Sequence, residues 1–478
     1  MNQPLVKTRF APSPTGLMHL GNLRTALFNA LWARKNGGAF VLRIEDTDRE
    51  RSRAGHVDAL AEDLRWLGLI WQEGPGAGGD AGPYFQSQRS DVYETHYRKL
   101  RERGLAYPCF CTERELAMIR KSQLAAGQPP RYPGTCAHLG AGEVKARLDR
   151  GLKPTLRFRV EPGRRVTFDD AVKGPQSFRS GEIGDFIIRR ADGTAAFFFC
   201  NAVDDAMMGV THVLRGEDHL TNTPRQLLLL EAMGLPAPVY GHIAMIVGDD
   251  ASPLSKRHGS RSVRELREAG YLPEALTNYL ARLGHYYADN ALLDLDGLAA
   301  GFDLEQLGTA PARFDPQQLR HWQREAVAAA GPERLAAWLP RRFEDQLDAP
   351  RRRRFLEAVH ANVTFPEDLA EWAQRLLGDL PPLEAPALAA VQEAGAAFFA
   401  GAVEAFDTAG ADYSAFIAAV KERTGRKGRQ LFMPVRVALT GLQHGPELAA
   451  VLPLIDPDRV RRRLLACRDA AGEVQRSH

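Results

Sequence analysis

The sequence contains no long hydrophobic run and no N-terminal pattern that directs secretion. No stretch reaches the roughly 18 consecutive apolar residues that a membrane-spanning helix needs. The first six residues, MNQPLV, lack a basic region followed by an apolar stretch, which argues against a secretory signal. We therefore expect a cytoplasmic protein without a membrane partner.

Cysteine and net charge are also scarce. Five cysteines in 478 residues do not suggest a disulfide framework, and clustered cysteines in the cytosol suggest a metal site instead. Lys and Arg number 62 against 59 Asp and Glu, so the net charge of +3 does not mark a nucleic-acid-binding protein, and any basic surface must be local. The length predicts two to four domains with real cores.

Residues 9–22, RFAPSPTGLMHLGN, have the pattern of a strand, a turn and the start of a helix. Alternation up to Phe10 predicts the strand, prolines interrupt it, and helical spacing begins after Gly21. A helix N-terminus that follows a strand offers free N–H groups and a positive dipole end to an anion. His19 adds a donor there, and Gly21 lets a flat base or a phosphate approach the backbone.

Three further strings accompany this one. Residues 254–259, LSKRHG, combine a lysine and a serine hydroxyl, which commonly bind phosphate. Residues 40–48 read FVLRIEDTD, and residues 213–219 read VLRGEDH. Taken alone, the first string could be a plain strand–turn–helix connection and LSKRHG a solvated basic turn.

Together, in this order and spacing, the four strings resemble the class I aminoacyl-tRNA synthetases, whose signatures are usually called HIGH and KMSKS, and among them the bacterial glutamyl-tRNA synthetases. The resemblance covers roughly residues 5–325 and continues more weakly to the end. It implies a glutamate–tRNA ligase. ATP and L-glutamate would form glutamyl-adenylate with Mg²⁺, and the glutamyl group would pass to the 3′ terminal adenosine of tRNA(Glu), with AMP and pyrophosphate released. Such chemistry is mostly positioning and electrostatics.

The resemblance also implies an ATP site. His19 and Lys256 would be the catalytic residues, with His19 helping to neutralise charge at the α-phosphate. The implied ATP-binding residues are His19, Gly21, Asn22, Asp218, Leu254, Ser255, Lys256 and Arg257. Two positions depart from the family pattern: Asn22 replaces a signature histidine, and Pro253 stands where a signature lysine is usual.

A glutamate pocket must match two carboxylates and one ammonium group. Arg9 and Arg215 suit the side-chain carboxylate by bidentate pairing, whereas Glu45 and Ser13 suit the ammonium group. The pocket that the resemblance implies comprises Arg9, Ala11, Ser13, Glu45, Phe197, Asn201 and Arg215. Phe197 stands where relatives often have tyrosine. The alternative is that the charged residues form structural ion pairs near the sheet edge.

Three cysteines and a histidine have the composition of a tetrahedral zinc site. Cys109 and Cys111 are followed, after 24 intervening residues, by Cys136 and then His138. Three soft thiolates with an imidazole favour Zn²⁺ over Mg²⁺ or Ca²⁺. A close paralogue of the family uses a tyrosine ligand four residues before the last cysteine, and Tyr132 occupies that position. The fourth ligand is therefore His138 or Tyr132, and reduced, metal-free cysteines remain an alternative.

The pattern along the chain predicts an α/β front and a helical back. The expected front is a doubly wound, Rossmann-type catalytic domain with an inserted α+β domain, after which residues 197–199 and 213–215 resume the sheet. From about residue 325, Ala, Leu, Arg and Glu predominate, which predicts all-α anticodon-binding domains. The expected divisions are 1–107, first catalytic half; 108–194, inserted acceptor-binding and zinc domain; 195–240, second catalytic half; 241–325, stem-contact domain with the KMSKS-type loop; 326–380 and 381–478, helical anticodon-binding domains.

Several rival functions share part of this pattern. A truncated paralogue that glutamylates a modified tRNA base lacks the helical back, and glutaminyl-tRNA synthetase has a β-barrel back. A small-molecule nucleotidyltransferase would not need the helical half, and a non-enzymatic RNA-binding relative would have lost Lys256 or the pocket. We expect a monomer that charges tRNA(Glu); the sequence leaves open whether tRNA(Gln) is also charged.

Overall fold

The computed structural model describes residues 5–47, 54–128, 130–254 and 261–473. The chain divides into two compact units. The first comprises the residues up to Glu268 together with Leu276–Leu319, and the second comprises Ala269–Ala275 and the residues from Arg320 onward.

The elements up to Arg313 include both strands and helices. In chain order they are β1 (Lys7–Phe10), α1 (Leu20–Lys35), β2 (Ala39–Leu42), α2 (Ala54–Trp66), α3 (Ser90–Glu102), β3 (Ala106–Cys109), α4 (Glu113–Ala125), α5 (Ala141–Asp149), β4 (Thr155–Phe158), β5 (Arg165–Asp170), β6 (Gly174–Arg179), α6 (Ser180–Ile183), β7 (Phe186–Arg189), α7 (Phe197–Met207), β8 (His212–Gly216), α8 (Thr223–Met233), β9 (Val239–Ile243), β10 (Ile246–Val247), α9 (Val263–Glu268), α10 (Pro273–Arg282), α11 (Leu295–Gly301) and β11 (Ala312–Arg313).

The parallel strands confirm the predicted Rossmann-type class. β1 pairs in parallel with β2, and β8 pairs in parallel with β9, with Arg215 opposite His242. The backbone N–H of Thr211 donates to the carbonyl of Lys7 at 2.8 Å, which joins the start of β8 to β1. Because these strands are parallel, their carboxyl ends share one edge, where α/β proteins bind ligands.

The turn between α1 and β2 requires a glycine, because a Cβ at Gly38 would lie 1.9 Å from the carbonyl oxygen of Val6.

The inserted segment contains its own antiparallel sheet. Its strand order is β3–β4–β7, and β5 and β6 form a separate hairpin. These strands, with α4 and α5, give the segment the α+β composition that was expected of it. No residue of α4 or α5 is fully buried, and each helix has only a few half-buried residues.

The prediction that residues 197–199 resume the sheet is wrong. These three phenylalanines begin the helix α7. The ring of Phe199 is buried and stacks on Tyr97 at a centroid distance of 4.2 Å. The helical turn then buries Asn201 and Asp205, which reach charged and polar partners. These tertiary contacts outweigh the strand propensity of a short aromatic run.

Beyond Arg313, the described residues form helices and no strand, as predicted for the back of the chain. The helices are α12 (Pro316–Ala329), α13 (Arg341–Glu344), α14 (Ala349–Val359), α15 (Pro366–Leu377), α16 (Ala385–Ala394), α17 (Ala396–Ala409), α18 (Tyr413–Thr424), α19 (Arg429–Thr440), α20 (Leu448–Val451) and α21 (Pro457–Glu473). In the described ranges no single helix is long and apolar enough to cross a membrane; α16 and α17 meet the length and composition test only as a pair, which is bent by 83°.

Candidate active site

An open cleft of about 620 Å³ lies at the carboxyl ends of the parallel strands. Its walls come from the turn after β1, the first turn of α1, the ends of β8 and β9, and α7. All predicted ATP and glutamate residues within the described ranges line this cleft: Arg9, Ala11, Ser13, His19, Gly21, Asn22, Glu45, Phe197, Asn201, Arg215, Asp218 and Leu254. The predicted residues Ser255, Lys256 and Arg257 lie outside the described residues.

The first turn of α1 opens into the cleft. His19 precedes the helix in an extended conformation, and its side chain makes no capping bond. Its ring lies against Gly21, where a Cβ would be 3.4 Å from the ring carbon Cε1. Burial lowers the pKa of His19, so the ring is neutral at pH 7 and can donate one hydrogen bond. The free N–H groups of this turn suit an anion.

A buried network of ion pairs lies beneath the residues that are predicted to bind the amino acid glutamate. Arg43 Nη1 donates to Asp205 Oδ1 at 2.6 Å, and Arg9 Nε donates to the same oxygen at 3.2 Å. Arg43 Nη2 donates to Glu45 Oε1 at 3.1 Å. Although burial opposes ionisation, the two arginines hold the pKa of Asp205 below its usual value. Arg43 is 0% exposed, so it acts as the central counter-ion and does not contact the cleft.

Glu45 and Asn201 continue the network into the cleft. Asn201 Nδ2 donates to Glu45 Oε1 at 2.5 Å, and Gln226 Nε2 donates to Asn201 Oδ1 at 2.9 Å. Burial raises the pKa of Glu45 against the opposing effect of Arg43. The carboxylate therefore gains from a cation in the cleft, which a substrate ammonium group would supply.

The Arg215 guanidinium has hydrogen-bond partners for Nε and Nη2 but none among the described residues for Nη1. Its Nη2 donates to Gln226 Oε1 at 2.7 Å and to Thr223 Oγ1 at 2.8 Å. Its Nε donates to His242 Nε2 at 3.1 Å. The buried Nη1 has no hydrogen-bond partner among the described residues. Burial lowers the pKa of Arg215 to about 10, so the charge persists at pH 7, and an incoming carboxylate would relieve its desolvation.

Several residues of the site carry no recognised sequence signal. Asp205 stands far along the chain from the arginines that it pairs, and no motif marks it. His219 lines the cleft and stacks on Phe197 at a centroid distance of 5.3 Å. The position of His219 in the string at residues 213–219 could have identified it as a site residue. Its stacking on Phe197 could not be foreseen, because that contact depends on the fold.

Arg43→Met should lower the free energy of unfolding by ~3–5 kcal/mol, because Asp205 and Glu45 lose the central partner of a buried network. Urea unfolding followed by circular dichroism measures the change. The matched control is Arg34→Met, which removes an exposed ion pair with Asp296 and should leave the transition near that of the parent. Equal transitions for the two variants would contradict the role of Arg43.

The predicted metal residues separate into two groups. The thiols of Cys109, Cys111 and Cys136 all lie within 4.8 Å of one another. Tyr132 Oη lies 3.3 Å from Cys109 Sγ and 3.6 Å from Cys111 Sγ. His138 is exposed and does not belong to this thiol cluster. Three sulfurs and one phenol oxygen thus lie together, and four is the number of ligands that a structural Zn²⁺ site takes.

Comparisons with known proteins agree with this geometry. Residues 5–321 match the family model described as tRNA synthetases class I (E and Q), catalytic domain, and residues 317–468 match an anticodon binding domain. Glutamate–tRNA ligase 2 of Nitrosococcus oceani is 61% identical over 469 residues, covering 98% of this chain and 99% of the relative. Glutamate–tRNA ligase 1 of Halorhodospira halophila is 57% identical over 479 residues, covering 99% of each chain. A crystal structure of a glutamate tRNA ligase from Elizabethkingia meningosepticum, in complex with its amino acid, has a TM-score of 0.87 at 28% identity over 97% of this chain and 99% of that one.

Proposed function

This chain belongs to the class I tRNA synthetases of the glutamate and glutamine group, and from that membership we propose that it ligates L-glutamate to tRNA(Glu). The α-carboxylate of glutamate attacks the α-phosphorus of ATP, pyrophosphate leaves, and glutamyl-adenylate forms. The terminal adenosine hydroxyl of the tRNA then attacks the activated carbonyl, and AMP leaves. The arginine and carboxylate arrangement around the cleft is the observation that carries the proposal.

The proposed glutamate pocket uses complementary charge. Arg215 offers its unpaired Nη1 to the side-chain carboxylate, and Arg9 adds a second cation at the same wall. Glu45, whose carboxylate is buried among cations, receives the ammonium group together with Ser13. A neutral glutamine side chain would leave the Arg215 charge desolvated and unpaired. The pocket thus favours glutamate over glutamine.

The proposed ATP site lies in the same cleft as the proposed glutamate pocket. The neutral ring of His19 and the N–H groups of the first turn of α1 would bind the α-phosphate, while Asn22, Asp218 and Leu254 complete the wall. Lys256, with Ser255 and Arg257, would bind the outer phosphates. Mg²⁺ would supply further charge neutralisation on those phosphates.

Both ends of the segment that holds Lys256 are tied beside the cleft. The N–H of Leu254 donates to Ile246 at 3.0 Å, and the N–H of Val263 donates to Met18 at 2.9 Å. Eight residues separate Leu254 from Val263, which is enough chain to reach a phosphate bound in the cleft. This placement supports the role of Lys256.

We further propose the six-part division of the chain given above, a monomer, and a cytoplasmic location. The helical back would contact the anticodon, and the inserted segment would contact the acceptor end of the tRNA. The same pocket would also serve the charging of tRNA(Gln), since the amino acid would still be glutamate.

The experiment that tests this function is aminoacylation with labelled glutamate and purified tRNAs. We expect charging of tRNA(Glu) that depends on ATP and Mg²⁺, and no charging with labelled glutamine. Glutamine transfer at a rate comparable to that of glutamate would contradict the pocket. Parallel reactions with tRNA(Gln) would decide the range of tRNA substrates.

We propose that the inserted segment binds one Zn²⁺ through Cys109, Cys111, Cys136 and Tyr132. Elemental analysis of protein purified without chelator should give about one zinc per chain, because three thiolates with one phenolate form a closed structural site. Cys109→Ser should lose the metal, and Tyr132→Phe should weaken its retention. His138→Ala is the matched control and should keep it. A metal-free native protein, or loss of zinc in His138→Ala alone, would contradict this ligand set.

A further inference from the structure

A buried hydrogen-bonded chain runs from the inserted segment to the glutamate pocket. Asp170, the last residue of β5, accepts a short hydrogen bond from His242 on β9. His242 Nε2 in turn lies 3.1 Å from Arg215 Nε. All three side chains are at most 5% exposed. A chain of this kind can fix the orientation of its last member.

The partners determine where the proton of His242 lies. An arginine Nε–H can only donate, so His242 Nε2 must accept, and the ring proton must sit on Nδ1. The Nδ1–H then donates to Asp170 Oδ2. Thr223 fits the same pattern, since its hydroxyl accepts from Arg215 Nη2 and lies 3.1 Å from His242 Nε2. Burial lowers the pKa of His242, which keeps the ring neutral at pH 7.

Asp170 is itself held without freedom to rotate. Its Oδ1 accepts the backbone N–H groups of Val172 at 3.0 Å, Lys173 at 2.8 Å and His242 at 3.1 Å. Only Oδ2 remains for the imidazole. These bonds, together with that from the His242 ring, keep the pKa of Asp170 below its usual value although burial opposes ionisation.

The consequence for Arg215 is a fixed orientation. Its Nε and Nη2 are both engaged, and Tyr240 packs its ring 5.1 Å from the guanidinium carbon. Nη1 is left as the buried group without a partner in the described part of the chain. An arginine without this support would lose the pre-organisation that makes a bidentate or directed contact strong.

We propose that Asp170 and His242 are positioning residues for the amino-acid substrate: Asp170 fixes the tautomer of His242, and His242 holds Arg215 so that its free Nη1 meets the side-chain carboxylate of glutamate. This inference rests on the proposed assignment of Arg215 to glutamate. It adds a residue of the inserted segment to the determinants of amino-acid affinity.

Asp170→Asn tests the tautomer directly. The three backbone N–H groups require an acceptor, so the amide oxygen takes the Oδ1 position and the amide nitrogen faces His242 Nδ1. The imidazole must then accept at Nδ1 and carry its proton on Nε2, which points at the Arg215 Nε–H. Two donors face each other, so we expect the KM for glutamate to rise about tenfold or more, with the KM for ATP and the kcat at saturating glutamate nearly unchanged.

Two substitutions of His242 form a matched pair. Glutamine places an amide oxygen near the Nε2 position and can accept from Arg215, whereas asparagine places its amide near the Nδ1 position and can serve only Asp170. Aminoacylation of tRNA(Glu) by the full chain should show a smaller rise in the KM for glutamate for His242→Gln than for His242→Asn. A purely structural role predicts equal rises that follow the loss of thermal stability.

The outcomes separate this inference from the proposed function. If Arg215→Ala leaves the KM for glutamate unchanged, the pocket assignment fails and this inference fails with it. If Arg215→Ala raises that KM but Asp170→Asn does not, only the positioning role is overturned. Should Asp170→Asn fail to fold, the His242 pair decides: a KM for His242→Asn equal to or below that of His242→Gln overturns the proposal.

Discussion

Arg215→Ala should weaken glutamate binding by ~2–5 kcal/mol, roughly 30-fold to several thousand-fold, while ATP binding stays close to that of the parent. Arg215 lines the cleft, and its buried Nη1 has no hydrogen-bond partner among the described residues, so its removal takes one of the two proposed cationic partners from the substrate carboxylate. Calorimetric titration of each ligand into the full chain measures both affinities.

The control for this prediction is Arg225→Ala. Arg225 lies on α8 near Arg215 in sequence, but it does not line the cleft and donates to the carbonyl of Thr221. We expect the Arg225→Ala variant to bind glutamate with the affinity of the parent protein. Arg215→Lys should fall between parent and alanine variant, because an ammonium group keeps the charge but loses the planar fork. Normal glutamate binding by both Arg215 variants would show that the carboxylate binds elsewhere.

Lys256→Ala should slow adenylate formation by roughly 10²–10³-fold, since loss of one transition-state charge contact costs about that much. Glutamate affinity should change little, because the proposed glutamate pocket consists of other residues, among them Arg9, Glu45 and Arg215. Pyrophosphate exchange in the presence of tRNA(Glu) measures the activation step, and calorimetry measures glutamate binding.

Arg261→Ala provides the comparison for Lys256. It removes one exposed cation a few residues further along and should leave activation near the parental rate. Lys256→Arg keeps a charge and should lose less activity than alanine. Turnover of Lys256→Ala at the parental rate would eliminate the proposed phosphate contact and leave His19 as the only catalytic residue of the scheme.

Local patterns predicted much of the front of the molecule. The strand before Phe10, the turn, and the helix from Leu20 follow from alternation, proline and helical spacing, all of which lie within about thirty residues. The aromatic run at residues 197–199 was misassigned, because its fate depends on packing against Tyr97 and on the partners of Asp205.

The pairings within the site could not be predicted from the sequence. Arg43 and Asp205 are 162 positions apart, and Asp170 and His242 are 72 positions apart, so only the folded sheet brings each pair together. The metal ligands show the same limit. The motif suggested His138 and the resemblance to a paralogue suggested Tyr132; in the structure the Tyr132 hydroxyl lies near the thiols and accepts the backbone N–H of Cys136 at 2.8 Å.

The hairpin of β5 and β6 has a consequence for engineering. Asp170 is the last residue of β5, and the turn that follows contains Lys173, whose ammonium group contacts Glu217 at 2.5 Å. On the proposed positioning role of Asp170, exchange of the inserted segment between relatives to alter tRNA preference would also change amino-acid affinity. A graft that leaves Asp170 in place would retain that affinity, whereas a graft that replaces it would need to bring its own acceptor for His242.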